Sequence, residues 1–558
     1  MPGSNAYRDR PRLQNESLPT FDFRLPTLSL EEQVGQLLMA IVDGPELDNE
    51  SAAMLRDCHL SGFYIRENNI ETTAQLRALT AHIQELLGRP GLPAIIAADQ
   101  EGGTWQRLKP PSTIFPSAMA RGATGSAEHA HRWGLATARE LRAVGINTDF
   151  APVLDVNNNP ANPVIGVRSF GERVQDVMRL GLAALAGLRE GGVLTCAKHF
   201  PGHGDTDVDT HYGLPALSHD MARLRSVELP PFKAAIDAGV PLVMTTHIVF
   251  AGLDGESLPA TLSPRILRQL LRDELGFDGV IVSDALVMKA IADRWGVAEG
   301  TVRFLEAGGD LALATRQERQ VHAAILDAVR SGRIPREQIA ASVARVARVK
   351  AWIAAQPPAD PAWVGAPEHK AWTAACARDA LTLIRDDAQL LPLRRDARLA
   401  VIDCAYEWTF GHAYELPATS ALAKSLRPRF SSVQGVVVDG RAPTEAQRVA
   451  ARAAVAEADI VLLATRGTIR FPAQAEFARD VLGWGKPVVT AALNEPYDLL
   501  VYPAAATALA TYGDDPVMIA ALGAALAGEA MPGGRLPVSL PGLYPVGHRA
   551  DESRRKEA

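Results

Sequence analysis

Short apolar runs such as LTCAKHF, residues 194–200, decide the fold of this chain because they recur and end in reactive side chains. Amphipathic segments such as AEHAHRWGLATARELRAVG (127–145) separate them. The other runs are GFYI (62–65), AIIAAD (94–99), NTDFAP (147–152), LVMTTH (242–247), GVIVSDAL (279–286) and GDLALA (309–314). Continuous apolar strands that alternate with helices are typical of a parallel sheet covered on both faces.

Seven or eight such units between about residues 28 and 350 favour a (β/α)8 TIM-type barrel over an open doubly wound sheet, although periodicity alone leaves the open sheet possible. The first segment, SLEEQVGQLLMAIV (29–42), has Ser29 and Glu32 in capping-box spacing and then a helical apolar stripe, which predicts a helix. In a barrel the carboxyl ends of all strands converge on one mouth, where catalysis takes place. We therefore look for the site at strand ends.

A second domain is predicted after the barrel. The stretch PPADPAWVGAP (357–367) contains four prolines and one glycine, which cannot continue the preceding helix. Later runs such as RLAVIDCA and DIVLLAT alternate with helical patterns, so we expect a smaller α/β sandwich. The predicted division is an N-terminal extension (1–27), a catalytic barrel (28–356), a linker (357–367), a C-terminal sandwich (368–547) and a tail (548–558).

Composition disfavours several classes of protein. The 558 residues include 57 Lys and Arg against 64 Asp and Glu, a net charge of −7 without long blocks of one sign, which disfavours nucleic acid as a partner. The four cysteines are far apart and form no CxxC pair, which disfavours a zinc ribbon or a disulfide scaffold. The N-terminal stretch has no apolar signal core, and no run is long enough to span a membrane, so we expect a cytoplasmic protein without membrane contact.

The loop CAKHFPGHGDTDVDTHYGLP (196–215) concentrates histidines, aspartates and a lysine directly after one strand. His199 and His203 have the four-residue spacing of a helical zinc site, but the proline and glycine between them oppose a helix. The aspartates begin like a calcium loop, yet Thr210 and Ala216 replace the required glycine and glutamate. A phosphate-binding P-loop would need a different glycine and lysine spacing. We therefore expect neither a metal nor a cofactor.

Acid–base chemistry is the remaining interpretation of this loop. Asp209 and His211 are separated by one residue, so in an extended segment their side chains leave on the same side, and the carboxylate can fix the imidazole tautomer. Asp284 ends the apolar run GVIVS and is either a helix cap or a nucleophile at the barrel mouth. Retaining glycoside hydrolysis needs such a division between an attacking carboxylate and a proton donor. The alternative is a polar turn whose histidines bond to backbone groups.

Two further loops supply groups that bind sugars. DQEGGTWQR (99–107) contains Asp99 and Arg107, and NPVIGVRSFG (162–171) contains Arg168. Carboxylates and arginines hydrogen-bond neighbouring hydroxyls in pairs, and Trp105 could stack on a sugar face. Taken singly, each of these residues is more often part of a surface ion pair.

Together these motifs resemble a known family. KHFPGHGDTDVDTH, with DQEGGTWQR, NPVIGVRSFG, LVMTTHI and VSDALVMKA in that order, is similar to the glycoside hydrolase family 3 β-N-acetylglucosaminidases of the cell-wall-recycling type. The resemblance covers about residues 28–350 and continues more loosely through a second domain found in longer members. It implies a retaining, metal-independent exo-enzyme that releases terminal GlcNAc from muropeptides or chito-oligosaccharides.

The resemblance also implies a role for each site residue. Asp284 would be the nucleophile that forms a glycosyl–enzyme intermediate, and His211, oriented by Asp209, the general acid and base. The residues implied to hold or neighbour the terminal GlcNAc are Asp99, Arg107, Arg168, Lys198, His199, Met244 and His247. A phosphorylase with the same histidine and an inactive sugar-binding protein remain as alternatives. We expect the second domain to act as a scaffold and the protein to be a monomer.

Overall fold

The computed structural model describes residues 28–209, 213–253, 257–406 and 416–550. Its first part is built on parallel strands, and eight of the strands formed by these residues belong to one sheet with the order β10-β1-β2-β3-β4-β5-β7-β9. The short strands β6 and β8 pair with each other outside that sheet. The strands are β1 (Leu38–Ala40), β2 (Gly62–Tyr64), β3 (Ile95–Ala98), β4 (Thr148–Asp149), β5 (Leu194–Phe200), β6 (Ala216–Leu217), β7 (Leu242–Thr245), β8 (Val249–Phe250), β9 (Val280–Val282) and β10 (Ala312–Leu313).

The sheet closes into a barrel. Its two terminal strands, β9 and β10, are joined by backbone hydrogen bonds, because Ser283 N–H donates to the Leu311 carbonyl over 3.1 Å and Leu311 N–H to the Ile281 carbonyl over 3.0 Å. The prediction of a (β/α)8 barrel is therefore confirmed. Neighbouring strands follow one another along the chain, so their carboxyl ends lie at one mouth.

Helices surround this barrel and fill the connections between strands. The segment Arg265–Glu274, between β8 and β9, is a π-helix. The α-helices are α1 (Leu30–Gly35), α2 (Asn49–Asp57), α3 (Thr73–Leu87), α4 (Ala118–Thr124), α5 (Ala127–Ala143), α6 (Val174–Glu190), α7 (Met221–Ser226), α8 (Leu229–Asp237), α9 (Lys289–Trp295), α10 (Val297–Glu306), α11 (Glu318–Arg330) and α12 (Arg336–Ala354). In the part of the chain that the structure describes, none of the helices combines the length and apolarity needed to cross a bilayer.

The first segment differs from its predicted helix. The capping box of Ser29 and Glu32 is present, but α1 ends at Gly35, and Leu38–Ala40 continues as strand β1. A Cβ atom at Gly35 would lie 2.0 Å from the Cys58 carbonyl oxygen, so the helix end needs a glycine at this close approach. Pairing of β1 with both β2 and β10 then decides for a strand, because a short buried apolar run suits either conformation.

The second part is a six-stranded mixed sheet with helices on both faces. Five strands pair in parallel in the order β13-β12-β14-β15-β16, while β11 pairs antiparallel with β16. Its strands are β11 (Thr382–Asp386), β12 (Arg398–Ala405), β13 (Ser432–Asp439), β14 (Ile460–Thr465), β15 (Val488–Ala492) and β16 (Thr507–Ala510). Its helices are α13 (Pro367–Ala380), α14 (Ala421–Leu426), α15 (Glu445–Glu457), α16 (Pro472–Leu482) and α17 (Pro516–Leu526).

Strand β12 shows how this sheet builds two cores. Ala400 and Ile402 pack into one apolar cluster, and Leu399 and Val401 pack into another, because successive residues of a strand face opposite sides. The expectation of a second α/β sandwich is thereby confirmed.

The two parts are packed against each other beside the barrel mouth. Trp372 of α13 belongs to the apolar core of the barrel. Ser117 Oγ donates a hydrogen bond to the Tyr512 carbonyl over 2.6 Å, and Asn157 Nδ2 donates to the Tyr497 hydroxyl over 2.9 Å. These buried contacts anchor the loops that follow β3 and β4, and both loops contribute to the site described next.

Candidate active site

A cavity opens at the carboxyl ends of the barrel strands. Its volume is about 190 Å³, whereas pockets for drug-sized ligands have roughly 300–1,000 Å³, so it suits a single sugar ring. Asp99 directly follows β3, Lys198 and His199 lie near the end of β5, and Asp284 lies two residues beyond β9. The predicted site residues that line the cavity are Asp99, Arg107, Arg168, Lys198, His199, Met244 and Asp284.

One wall of the cavity is built on a charge-balanced network. The Lys198 ammonium lies 2.7 Å from Asp99 Oδ1 and 2.6 Å from Glu101 Oε1, and it is almost fully buried. Arg107 reaches Asp99 Oδ2 at 3.6 Å and Glu67 Oε2 at 3.2 Å. Three carboxylates and three cations take part, namely Glu67, Asp99, Glu101, Arg107, Arg168 and Lys198. Such a wall offers fixed charged donors and acceptors to the hydroxyls of a sugar.

Arg168 is held on both sides. Its Nε and one terminal nitrogen donate to the two oxygens of Glu101, each over 2.8 Å, which is the bidentate geometry that fixes a guanidinium most firmly. The guanidinium carbon also lies 4.2 Å from the centre of the Trp105 ring. Trp105 therefore packs against an arginine at the edge of the cavity, where the sequence suggested contact with a sugar.

The network keeps its members charged at neutral pH. Burial by itself raises the pKa of Asp99, but Lys198 and Arg107 hold that pKa below its usual range. Burial likewise opposes ionisation of Glu101, and Arg168 with Lys198 lowers its pKa nonetheless. Burial alone would lower the pKa of Lys198, yet the two carboxylates raise it. These groups cannot be replaced singly without leaving a buried charge uncompensated.

His199 is oriented by a carboxylate that the sequence analysis did not select. Asp155 is fully buried, and its Oδ2 lies 2.7 Å from His199 Nδ1. Burial by itself raises the pKa of Asp155, but His199 lowers it, so the carboxylate accepts and Nδ1 carries the proton. His199 Nε2 then faces Arg168, whose terminal nitrogen lies 3.4 Å away.

His203 also lines the cavity and is 1% exposed. The His203 backbone N–H donates to Asp155 Oδ1 over 2.7 Å, and the ring nitrogen Nδ1 of His203 lies 2.9 Å from Thr206 Oγ1. Its Nε2 is buried and has no hydrogen-bond partner among the described residues. Within the described ranges, His, Cys, Asp and Glu side chains form no group of three or more suited to a metal ion.

Asp284 lies on the opposite wall, where the Ala285 N–H donates to its Oδ1 over 2.7 Å. His247 is not among the described residues that line the cavity. Its Nδ1 lies 2.8 Å from Thr261 Oγ1, and its Nε2 lies 3.1 Å from the Ala285 carbonyl. A carbonyl only accepts, so His247 Nε2–H donates this hydrogen bond. His247 thereby supports the backbone next to Asp284 without lining the cavity itself.

The predicted acid–base pair is described only in part. Asp209 is 8% exposed, and its carbonyl accepts a hydrogen bond from the Gly213 N–H over 3.1 Å. His211 lies outside the described residues. The pairing of Asp209 with His211 and its approach to Asp284 therefore stay predictions.

Sequence reasoning missed several residues of the site, among them Tyr64, Glu67, Glu101, Asp155 and His203 as a cavity-facing group. Glu101 was detectable, because it lies two residues beyond Asp99 and an extended segment places both on one side. Asp155 follows the apolar stretch FAPVL, much as Asp284 follows GVIVS. Tyr64, whose hydroxyl donates to Asp99, had no such signal because it reads as an ordinary strand residue.

Comparisons with known proteins agree with this architecture. Residues 29–349 match the glycosyl hydrolase family 3 N terminal domain. Beta-hexosaminidase A of Pseudoalteromonas piscicida is 37% identical over an alignment of 382 positions that covers 63% of this chain and only 64% of that protein's length. The beta-N-acetylglucosaminidase/beta-glucosidase of Cellulomonas fimi is 28% identical over an alignment of 543 positions that covers 92% of this chain and 94% of that protein.

A solved structure extends the similarity to both parts of the chain. The glycoside hydrolase family 3 beta-N-acetylglucosaminidase from Paenibacillus sp. str. FPU-7 has a TM-score of 0.87 and 35% identity, with 92% of this chain and 99% of that chain covered. A closed parallel barrel with a charged, one-ring cavity at its strand ends defines a TIM-barrel enzyme. More specifically, the chain belongs to glycosyl hydrolase family 3, because the family match covers more than half of it. The resemblance stated from the motifs is thereby confirmed.

Proposed function

We propose that this protein is a retaining, exo-acting β-N-acetylglucosaminidase that forms a covalent glycosyl–Asp284 intermediate. The observation that carries the proposal is the position of Asp284 on the wall of a one-ring cavity whose other wall holds Asp99, Lys198 and Arg107. Relatives named beta-hexosaminidase and beta-N-acetylglucosaminidase support the choice of sugar.

The proposed reaction has two steps. In the first, an Asp284 oxygen forms a bond to the anomeric carbon while the bond to the leaving oxygen breaks, and His211 gives its proton to that oxygen. In the second, water attacks the anomeric carbon, His211 takes the proton of the water, and the bond to Asp284 breaks. The charged wall holds the hydroxyls of the ring through both steps, and no cofactor is needed.

The proposed natural substrates are muropeptide fragments in which GlcNAc is linked to N-acetylmuramic acid or its 1,6-anhydro form. The rim of the cavity carries Arg66 and Arg316. Arg316 pairs with Asp43 over 2.6 Å, and Arg66 lies 3.9 Å from Asp43 and 3.4 Å from Glu67. These two guanidinium groups suit an aglycone with carboxylates, such as the lactyl group of N-acetylmuramic acid. Uncharged chito-oligosaccharides would accept hydrogen bonds from the rim arginines but form no ion pair with them.

The remaining features of the protein are part of the same proposal. The predicted division at residues 357–367, the scaffold role of the second part, a monomeric state and a cytoplasmic location rest on the sequence. The buried contact between Ser117 and the Tyr512 carbonyl supports a scaffold role, because it fixes a loop beside the site.

A panel of 4-nitrophenyl β-glycosides tests the reaction class. Fast release from the GlcNAc compound, with free GlcNAc as product whether or not phosphate is added, is the expected result. Formation of GlcNAc-1-phosphate would instead identify a phosphorylase, and binding without turnover would identify an inactive sugar-binding protein. Comparing GlcNAc–anhydro-N-acetylmuramic acid with chitobiose then tests the preference for an acidic aglycone.

A further inference from the structure

His203 is a buried, neutral imidazole that faces the cavity. Burial and, to a smaller extent, the neighbouring His199 lower its pKa to about 4. One of its two ring nitrogens is therefore without a proton at neutral pH, and the neighbours of the ring decide which.

The environment of Nδ1 assigns the tautomer. Thr206 Oγ1 lies 2.9 Å from His203 Nδ1 and 3.2 Å from the His203 carbonyl oxygen. The carbonyl only accepts, so the hydroxyl directs its single proton there, and Oγ1 accepts the hydrogen bond from Nδ1–H. Nε2 is then an acceptor without a proton, buried and without a partner in the part of the chain that the structure describes. Burying an acceptor without a donor costs free energy, and a ligand that supplies a donor removes this cost.

The other described acceptors of the cavity already have partners. Asp99 accepts from Tyr64 and Lys198, and His199 Nε2 faces Arg168. Sugar hydroxyls can both donate and accept, so they can adapt to these groups. An amide N–H only donates, and a bare imidazole nitrogen is its natural partner.

The wall beside His203 also suits the rest of an acetamido group. Asn162 donates from Nδ2 to the His203 carbonyl over 2.9 Å and accepts from the Val164 N–H over 2.9 Å. Val164 lines the same cavity and is apolar. Through these two hydrogen bonds Asn162 holds His203, whose Nε2 is the acceptor, beside the apolar side chain of Val164. An acceptor next to an apolar group matches the N–H and the methyl group of an acetamido substituent.

We propose that His203 determines specificity by accepting a hydrogen bond at Nε2 from the N–H of the substrate's 2-acetamido group. The proposal rests on the proposed function and assigns the preference for GlcNAc to a residue other than Asp284, His211 and the charged wall. It also gives Thr206 a role as a positioning residue, because its hydroxyl fixes the tautomer of His203.

The test compares two aryl substrates in the wild type and in His203→Phe. One is the 4-nitrophenyl glycoside of GlcNAc, and the other is its 2-O-acetyl counterpart, which keeps the carbonyl and methyl but lacks the N–H. We expect the wild type to prefer GlcNAc in kcat/KM by about 10- to 100-fold, since a buried acceptor loses its donor in the second substrate. His203→Phe should reduce this preference to about 3-fold or less. An unchanged preference would overturn the proposal.

A second pair of variants covers the case in which His203→Phe fails to fold. Thr206→Val removes the acceptor that fixes the tautomer and should reduce the preference for GlcNAc, whereas Thr206→Ser keeps the hydroxyl and should retain it. Equal preference in both variants would contradict the tautomer argument.

Calorimetric binding of the methyl β-glycosides of GlcNAc and 2-O-acetylglucose gives the same comparison without turnover. If the wild type binds GlcNAc more tightly but turns over no GlcNAc glycoside, the proposed function fails while the role of His203 stands. Equal binding of the two compounds would overturn that role.

Discussion

Replacing Glu101 by glutamine tests whether the charged wall is held together as the distances indicate. Glu101 is 3% exposed and accepts three charge-assisted hydrogen bonds, two from Arg168 over 2.8 Å each and one from Lys198 over 2.6 Å. Glutamine has the same shape, but it removes one negative charge and turns an NH2 group toward donors that need an acceptor. Two buried cations then share one neutral oxygen.

The expected loss of stability in Glu101→Gln follows from the burial of this carboxylate. Removing one partner of a buried ion pair costs about 3–5 kcal/mol, because the remaining charge stays uncompensated. One retained acceptor oxygen keeps part of the interaction, so we expect the free energy of unfolding to fall by about 3 kcal/mol. Displaced Arg168 and Lys198 would also bind the sugar hydroxyls poorly, and kcat/KM for an aryl GlcNAc glycoside should fall about 100-fold.

Urea unfolding at pH 7 and initial rates measure the two effects. Glu274→Gln is the matched control, since Glu274 accepts two bonds from Arg225 at the surface, where an ion pair contributes about 1 kcal/mol or less. Its activity should equal that of the wild type. A loss below 1 kcal/mol together with full activity in Glu101→Gln would refute the reasoning.

Three other outcomes are expected. Asp284→Ala should abolish turnover by at least about 10⁴-fold, measured with an aryl GlcNAc glycoside, and mass spectrometry of the wild type with a slow fluorinated substrate should find the sugar on the peptide that contains Asp284. His211→Ala should slow substrates with sugar leaving groups far more than 4-nitrophenyl glycosides, because only poor leaving groups need protonation; equal losses would reject the assignment. Burial lowers the pKa of Lys350, whose Nζ donates to Gln36 over 2.7 Å, to about 7, so the folded state loses stability as the pH falls from about 10 toward 7. Lys350→Met should therefore stabilise the protein by about 2 kcal/mol at pH 7 and by less at pH 10 in urea unfolding, and an equal effect at both values would contradict the pKa.

The sequence by itself determined the class of fold and most of the cavity wall. Apolar runs that end in Asp99, Lys198 and Asp284 predict these positions, because a closed parallel barrel brings the ends of all its strands to one mouth whatever the loops do. One element was misassigned: Leu38–Ala40 continues a helical pattern in the sequence but pairs as β1. Three apolar residues suit either conformation, and the neighbouring strands make the choice.

Only the tertiary structure decided which charges meet and which ring nitrogen is bare. Arg168 and Glu101 are 67 residues apart, and His199 and Asp155 are 44 apart, so no local pattern encodes their contacts. His203 has Thr206 three residues away, but the absence of a partner for its Nε2 within the described ranges follows from burial at the barrel mouth. The physical reason is that strand periodicity is a short-range property, whereas charge pairing and desolvation depend on distances set by the closure of the whole barrel.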